Sequence, residues 1–499
     1  MTLKKYINHG LYRGHRLREK QYMDKKRTKI VATISDKKCD VDFLKALFEA
    51  GMNVVRINSA HLDMEGAMKI INNVRQVSDK IAVLIDTKGP EIRTTICDAP
   101  IRLVKGNKID IIGDPDQKST EKVIYVSYKT FSSDIPSESV ILIDDGDIKL
   151  TALRRKGNAV ECLIENDGIL GSRKSVNVPS VKINLPSLTE KDRKFIEMAA
   201  RNEVDFIAHS FVRSKNDVLD VKQELKKYDS DIKIIAKIEN EEGVDNIDEI
   251  LDNVYGIMVA RGDLAIEIPY EKIPGIQRMI INRCIISRKP VIVATQMLHS
   301  MISNPRPTRA EVSDVANAIY SQTDAIMLSG ETANGKYPVE AVETMTRIAL
   351  EIEKNKEKFL DIPYLNVTTG EISAYLAKVA VKTAYRLGAK GVIADTMGGR
   401  TIRDMAAYRG INFILAQCYS KRTMRELALS YGVLPSYQEK KKSVDEFIHY
   451  ALRQLSVTHD MKDDDLIVVL AGNFSNGSGF SFIEVGTVQY LNDRVSIKD

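Results

Sequence analysis

The 499-residue sequence predicts an α/β protein: a closed (β/α)8 TIM barrel, an all-β lid domain inserted into it, and an open α/β domain behind it. Three observations predict this. Eight short runs rich in β-branched residues recur at the spacing of a βα unit, with amphipathic segments between most of them. One long interruption, near residues 90–185, switches to short alternating runs broken by Gly and Asn turns. The length leaves room for about three domains at ~150 residues each. Hydrophobic residues are 43% and charged residues 28%, which excludes disorder, collagen and coiled coil as the overall class. No apolar run approaches the ~18 residues of a membrane helix, so no membrane partner is expected.

The chain opens with a basic segment, residues 1–26. Residues 1–29 carry ten Lys/Arg against two Asp/Glu, so the remaining residues sum to −3 although the whole chain is +5. The basic balance is therefore local, and no nucleic-acid partner is expected, because that needs a basic face on a folded domain. A solvated tail or appended helix is the simplest reading. The segment lacks the apolar core of a secretory leader. A mitochondrial presequence is the alternative, but Lys outnumbers Ser, and Glu19 and Asp24 intrude. Cys39, Cys97, Cys162, Cys284 and Cys418 are dispersed without C-x-x-C spacing. Buried thiols in a reducing, cytoplasmic setting are expected, and no cysteine is given a function.

The barrel takes residues 27–89 and 186–355. Its strands are read at Ile30–Ile34, Val54–Ile57, Ala82–Ile85, Phe206–Ala208, Ile232–Ile238, Gly256–Ala260, Val291–Ala294 and Ala325–Leu328. Each looks buried on both faces. Val41–Ala50, Asp63–Val77, Glu190–Arg201, Lys215–Lys227 and Ile273–Ser287 show helical spacing, and Val339–Lys358 closes the barrel. An open doubly wound sheet is the alternative from pattern alone. The lid, residues 90–185, contains Val104–Ile112, Val123–Tyr128, Val140–Ile143, Ala159–Ile164 and Ser175–Val178 as strands. It follows the third strand, at the catalytic end of such a barrel, where a lid can exclude water. The C-terminal α/β domain, residues 356–499, is read as helices Ile372–Leu387, Thr401–Tyr408, Thr423–Ser430 and Val444–Leu455 with strands Gly391–Asp395, Phe413–Gln417, Leu466–Leu470 and Phe482–Val485.

Chemistry in a (β/α)8 barrel sits at the carboxyl ends of the strands. Here those ends supply Thr33; Arg56, Asn58 and His61; Asp86 and Thr87; Ser210; Lys237 and Glu239; Arg261 and Asp263; Thr295; and Ser329 and Glu331. In AKIEN, Lys237 and Glu239 are two apart, so they share one side of a strand. A Lys there suits a transferring phosphoryl oxygen, and Glu239 with Asp263 offers two oxygen ligands for Mg²⁺, which typically takes one or two carboxylates. A local ion pair is the alternative. Arg56 and Asn58 share the same relation in VVRIN, and Arg suits bidentate phosphate recognition. In ARGDLA, Gly262 permits close approach of backbone N–H groups to a carboxylate.

Together these segments resemble the pyruvate kinase family: TKIVATI, GMNVVRINSAH, DTKGPEIRT, ILIDDG, AKIENEEG, and the block from IMVARGDLAIEIP through PVIVATQMLHSMISNPRPTRAEVSDVANAIYSQTDAIMLSGETANGKYP. The resemblance runs from about residue 27 to 355, and more weakly through the C-terminal domain. It implies phosphoryl transfer from phosphoenolpyruvate to ADP, giving ATP and, after protonation of the enolate, pyruvate: the last step of glycolysis. Carried over by residue, Lys237 neutralises charge on the moving group and Arg56 clamps the phosphate. Glu239 and Asp263 hold Mg²⁺ or Mn²⁺, the Gly262 and Asp263 amides meet the carboxylate, and Thr295, with Ser329 behind it, lies on the proton-delivery side. His61, Arg93 and Lys191 match nucleotide-binding positions. Asn58, Asp86 and the Thr87 carbonyl match a K⁺ site, and Glu91 goes with K⁺ dependence. A homotetramer is implied at NPRPTRAE.

The sequence departs from the family in three places. Asn58-Ser59-Ala60-His61 stands where N-F-S-H is usual, so Ala60 lacks a hydroxyl ligand for K⁺. Ser35-Asp36-Lys37-Lys38 replaces G-P-A-S. In DTMGGRT, which resembles a loop holding phosphorylated effectors, Thr396, Arg400 and Thr401 fit, but Gly398 replaces serine, and a simple turn is the alternative. The late loop 472–480 is expected to cover that pocket. Two other functions compete: a metal-dependent enolate lyase or aldolase working without ADP, and a non-catalytic sensor. Arg93 and Lys191 speak against the first. The presence of Arg56, Lys237, Glu239, Asp263 and Thr295 speaks against the second.

Overall fold

The computed structural model describes residues 26–354, 372–441, 443–459, 461–472 and 482–496. The basic segment before residue 26, the end of the helix expected at Val339–Lys358 and most of the loop 472–480 lie outside these residues.

Eight strands close a parallel barrel: β1 (Lys29–Ile34), β2 (Val54–Asn58), β3 (Ala82–Asp86), β4 (Phe206–His209), β5 (Lys233–Ile238), β6 (Gly256–Ala260), β7 (Val291–Ala294) and β8 (Ala325–Leu328). Each strand lies beside its neighbours in sequence, and β8 returns to β1 with Lys29 opposite Ala325. The apolar runs form strands because both faces are buried. Alternate residues point to different cores. Val31, Val54, Leu84, Phe206, Ile235, Met258, Ile292 and Met327 pack inside the barrel. Their neighbours Ala32, Val55, Val83, Ile207, Ile234, Ile257, Val293 and Ile326 pack outward under the helices.

The helices begin where short polar side chains can satisfy free backbone N–H groups. Asp40 caps Val41–Ala50, and Asp63 caps Met64–Val77. Thr189 and Asp192 form a reciprocal capping box at Glu190–Arg201, as do Thr308 and Glu311 at Arg309–Tyr320.

The insertion has its own core, built from Ile92, Ile111, Ile124, Ile141, Leu150, Cys162 and Val176 among others. A seven-stranded sheet and a two-stranded sheet form around it. The strand expected at Val104–Ile112 starts later, at Lys108–Gly113, and a separate short strand, Ile101–Leu103, precedes it. Gly106, at φ +86°, makes the turn between them. Ile148–Lys156 is a nine-residue strand that the sequence pattern did not single out; its last three residues are exposed Arg154, Arg155 and Lys156.

Behind the barrel, four parallel strands and one antiparallel edge strand make an open sheet in the order Val433–Tyr437, Phe413–Cys418, Gly391–Thr396, Leu466–Ala471, Phe482–Thr487. This sheet docks on the amino-terminal end of the barrel. Asp205 and Asp324, the residues just before β4 and β8, bind Arg425 and Arg409 at 2.7 and 2.5 Å. Lys29 Nζ donates to the Val433 carbonyl at 2.6 Å. The carboxyl ends of the strands are thus left free on the opposite side. Among the described residues no helix is long and apolar enough to cross a membrane.

Candidate active site

The inward rows of the barrel continue past the apolar core and turn polar at its mouth. Val31 leads to Thr33, Val54 to Arg56 and Asn58, Leu84 to Asp86, Ala208 to Ser210, and Ile235 to Lys237 and Glu239. The same period of two that fills the barrel therefore points these groups at one another.

Lys237 Nζ is the hub. It lies 3.0 Å from Asp86 Oδ1 and 2.9 Å from Glu239 Oε1, and donates to Ser210 Oγ at 2.7 Å. Arg56 Nε binds Asp86 Oδ2 at 2.7 Å, while its Nη1 donates to Thr33 Oγ1 at 2.9 Å. Glu239 Oε2 accepts from the Phe211 amide at 2.6 Å. Ser210 Oγ also donates to the Thr87 carbonyl at 2.6 Å. Such charged pairs survive burial only with close geometry and further hydrogen bonds, and both are present.

The charges do not cancel evenly. Burial disfavours the Lys237 ammonium, but Asp86 and Glu239 outweigh it and raise its pKa above the ordinary lysine range. Burial would raise Asp86, yet Arg56 and Lys237 hold it below the usual carboxylate range. Glu239 and Asp263 move the other way. Burial raises both, and Lys237 offsets this only in part. The opposite behaviour of Lys237 and its partner Glu239 has a simple cause. Burial is the largest effect on each, and the carboxylates outweigh it at Lys237, whereas at Glu239 the Lys237 ammonium does not outweigh burial and the repulsion of Asp263 and Asp86. Negative charge is left in excess on the Glu239–Asp263 side. That excess, on two oxygen-bearing side chains, fits a divalent cation. Among the described residues no three His, Cys, Asp or Glu side chains form a metal-ligand cluster, so remaining positions would fall to water or substrate oxygens.

Gly262 and Asp263 belong to the short helix Arg261–Glu267, which starts directly at the end of β6. The Gly262 amide donates to Thr295 Oγ1 at 2.8 Å. The structure thus brings β5, β6 and β7 together at one point.

The chain is matched by two family models, "Pyruvate kinase, barrel domain" over residues 25–342 and "Pyruvate kinase, alpha/beta domain" over residues 375–483. The chain belongs to the pyruvate kinase family. It is similar to the pyruvate kinase of Borreliella burgdorferi, 46% identical over 94% of this chain and 98% of that one. The pyruvate kinase of Geobacillus stearothermophilus is 44% identical over 90% of this chain and 78% of its own length. A crystal structure of a pyruvate kinase from Cryptosporidium parvum superposes with a TM-score of 0.87 at 33% identity, covering 94% of this chain and 97% of that one. The chain is accordingly an enzyme of the pyruvate kinase family, a kinase and transferase by class.

The other expected pyruvate kinase positions are more scattered. Lys191 Nζ donates to the Ala60 carbonyl at 3.4 Å. His61 is exposed beside it in sequence. Arg93, on the lid strand Ile92–Arg93, pairs with Glu91 at 2.8 Å and donates to the Arg173 carbonyl at 2.7 Å. The Asn58 side-chain oxygen accepts from the Ala60 amide at 3.1 Å. Ser329 follows β8, and its amide donates to Glu331 Oε2 at 2.7 Å.

Glu331 stands at the strand ends with the charged residues, and its carboxylate accepts from two backbone amides, Ser329 and Leu298. It ties the ends of β7 and β8 together. Ser210 stood in the ring without a role, yet it touches Lys237, Asp86 and the Thr87 carbonyl. Its position two residues past the inward Ala208 was the available signal. In the C-terminal domain, Thr396 Oγ1 accepts from the Gly399 amide at 2.8 Å, just before the helix Arg400–Ala407 that contains Arg400 and Thr401.

Proposed function

We propose that this enzyme transfers the phosphoryl group of phosphoenolpyruvate to ADP and protonates the resulting enolate to pyruvate, as a cytoplasmic step of glycolysis. The observation that carries this reading is the single buried cluster of Lys237, Asp86, Glu239 and Arg56 at the barrel mouth. Phosphoryl transfer is catalysed mainly by positioning and electrostatics, which such a cluster supplies.

In this reading Lys237 neutralises the equatorial oxygens of the moving phosphoryl group, and Arg56 fixes its orientation. The Asp263 amide, joined by that of Gly262 when the substrate carboxylate displaces Thr295 Oγ1 from it, receives the substrate carboxylate. Glu239 and Asp263 would hold Mg²⁺ or Mn²⁺, which would supply Lewis-acid stabilisation of charge on the transferring phosphoryl group. Thr295 stands on the side from which the enolate carbon takes up its proton, with Ser329 nearby in the same rim. His61, Arg93 and Lys191 receive ADP; Arg93 arrives with the lid. Asn58, Asp86 and the Thr87 carbonyl take K⁺, and Glu91 goes with that dependence. The enzyme works as a homotetramer, and a phosphorylated effector binds at Thr396, Arg400 and Thr401.

A coupled assay for pyruvate from phosphoenolpyruvate and ADP tests the whole reading, with Lys237→Met as control. Activity abolished by the substitution is expected; no pyruvate from the unaltered protein overturns the reading. Replacing K⁺ by a large organic cation is expected to lower the rate, and an unchanged rate removes the K⁺ assignment. A screen of phosphorylated sugars and nucleotides for altered substrate cooperativity tests the effector site, which no response to any would remove.

A further inference from the structure

Two consecutive residues at the end of β7, Thr295 and Gln296, have φ of 69° and 53°. Left-handed backbone is uncommon for any side chain and an outlier for a β-branched one, so the surroundings must hold Thr295 there. The group that does so is Arg261. Its Nε donates to the Ala294 carbonyl at 3.3 Å and its Nη2 to the Thr295 carbonyl at 2.7 Å. The two peptide planes flanking Thr295 are therefore gripped by one planar guanidinium.

The guanidinium is itself braced. Its Nη1 pairs with Asp314 Oδ1 at 2.7 Å, and buried Gln277 lies 3.5 Å from the same nitrogen. Asp314 comes from the capped helix Arg309–Tyr320, a separate element from both β6 and β7. In the conformation so held, Thr295 Oγ1 accepts from the Gly262 amide and donates to the Ala294 carbonyl at 2.7 Å. A lysine at position 261 has no planar fork to span two carbonyls and a carboxylate.

We infer that Arg261, braced by Asp314, is a positioning residue that holds the Thr295 hydroxyl beside Gly262 and thereby sets the rate of enolate protonation. This rests on the placement of Thr295 at the proton-delivery side proposed above. In the step concerned, a proton from solvent reaches the enolate carbon, the C–H bond forms from the enolate C=C π electrons, and the enolate oxygen becomes the ketone carbonyl of pyruvate. In reverse, the methyl group loses a proton to solvent.

The reverse step gives the test. The full-length protein exchanges pyruvate methyl hydrogens in D₂O with ATP, Mg²⁺ and K⁺ present, and NMR follows the loss. Arg261→Lys is expected to slow exchange by about tenfold or more, since small misplacements of reacting groups are costly. Asp314→Asn removes the brace without touching the fork and is expected to slow exchange by about threefold, with the double variant no slower than Arg261→Lys alone, as coupled groups are non-additive. The KM for phosphoenolpyruvate should change by less than about twofold in each, because ground-state binding is not removed. Wild-type exchange in both single variants, beside slow exchange in Thr295→Val, overturns the positioning role alone. Wild-type exchange in Thr295→Val removes the Thr295 assignment and this inference with it. Loss of exchange only in parallel with a large rise in KM and a lowered melting temperature also overturns it, since general damage to the fold then explains the result.

Discussion

Replacing Lys237 by methionine removes the one ammonium that Asp86 and Glu239 share. The expected loss in turnover is on the order of 10³-fold or more if that charge stabilises the transition state. Stability should fall too, by roughly 3 kcal/mol, because breaking a buried pair strands its partner charges. Urea denaturation and steady-state turnover separate the two effects. Ala60 makes a second residue-scale prediction: Ala60→Ser adds one oxygen ligand at the proposed K⁺ site. It should tighten K⁺ by roughly tenfold, about 1.4 kcal/mol, read as the K⁺ concentration that half-saturates thermal stabilisation. Lys237 and Glu239 were legible in the sequence because i,i+2 on a strand has a fixed meaning. The bonds of Glu331 were not legible, because nothing local shows that its oxygens meet two backbone amides. The function of Arg261 was hidden for a similar reason: its brace, Asp314, is 53 positions away.

Among elements, the barrel strands were the most legible, since a run buried on both faces reads as continuous apolar sequence. The edge strand Val433–Tyr437 was missed. It contains Pro435, which removes a ladder donor and is tolerated at an edge. Lid strands were blurred by turns and by charged ends such as Arg154–Lys156. The lid's separate core predicts that it can be weakened without loosening the barrel. Gly113 is the place to test this. A Cβ there would lie 2.2 Å from the Tyr128 carbonyl oxygen and 2.6 Å from that of Lys129. Gly113→Ala should therefore cost the lid roughly 1–3 kcal/mol through overpacking. Hydrogen exchange should rise across strands Lys108–Gly113 and Val123–Val126 while β5 and β7 stay protected. Equal deprotection of the barrel would show that the two cores unfold together.

Across the whole molecule, the C-terminal domain is anchored on the barrel by pairs that exclude water. Arg409 and Asp324 are 2% and 3% exposed, and Asp324 also accepts from the Tyr431 amide at 2.9 Å. Arg409→Met leaves that carboxylate buried without its cation. The expected cost is about 3–5 kcal/mol, seen in calorimetry as earlier melting of the C-terminal domain. A variant that melts in one unshifted transition would contradict this.

One strand register serves both the barrel's interior and its reactive rim: Ile235, Lys237 and Glu239 are successive members of a single row. A deletion of one residue within β5 would exchange that row with Ile234, Ala236 and Ile238, carrying the ammonium under the helices and aliphatic carbon into the mouth. A change of length inside a strand therefore disrupts the site, whereas one in a loop leaves the register intact. The lid lies in one such loop, between β3 and β4, past the end of the strand that carries Asp86.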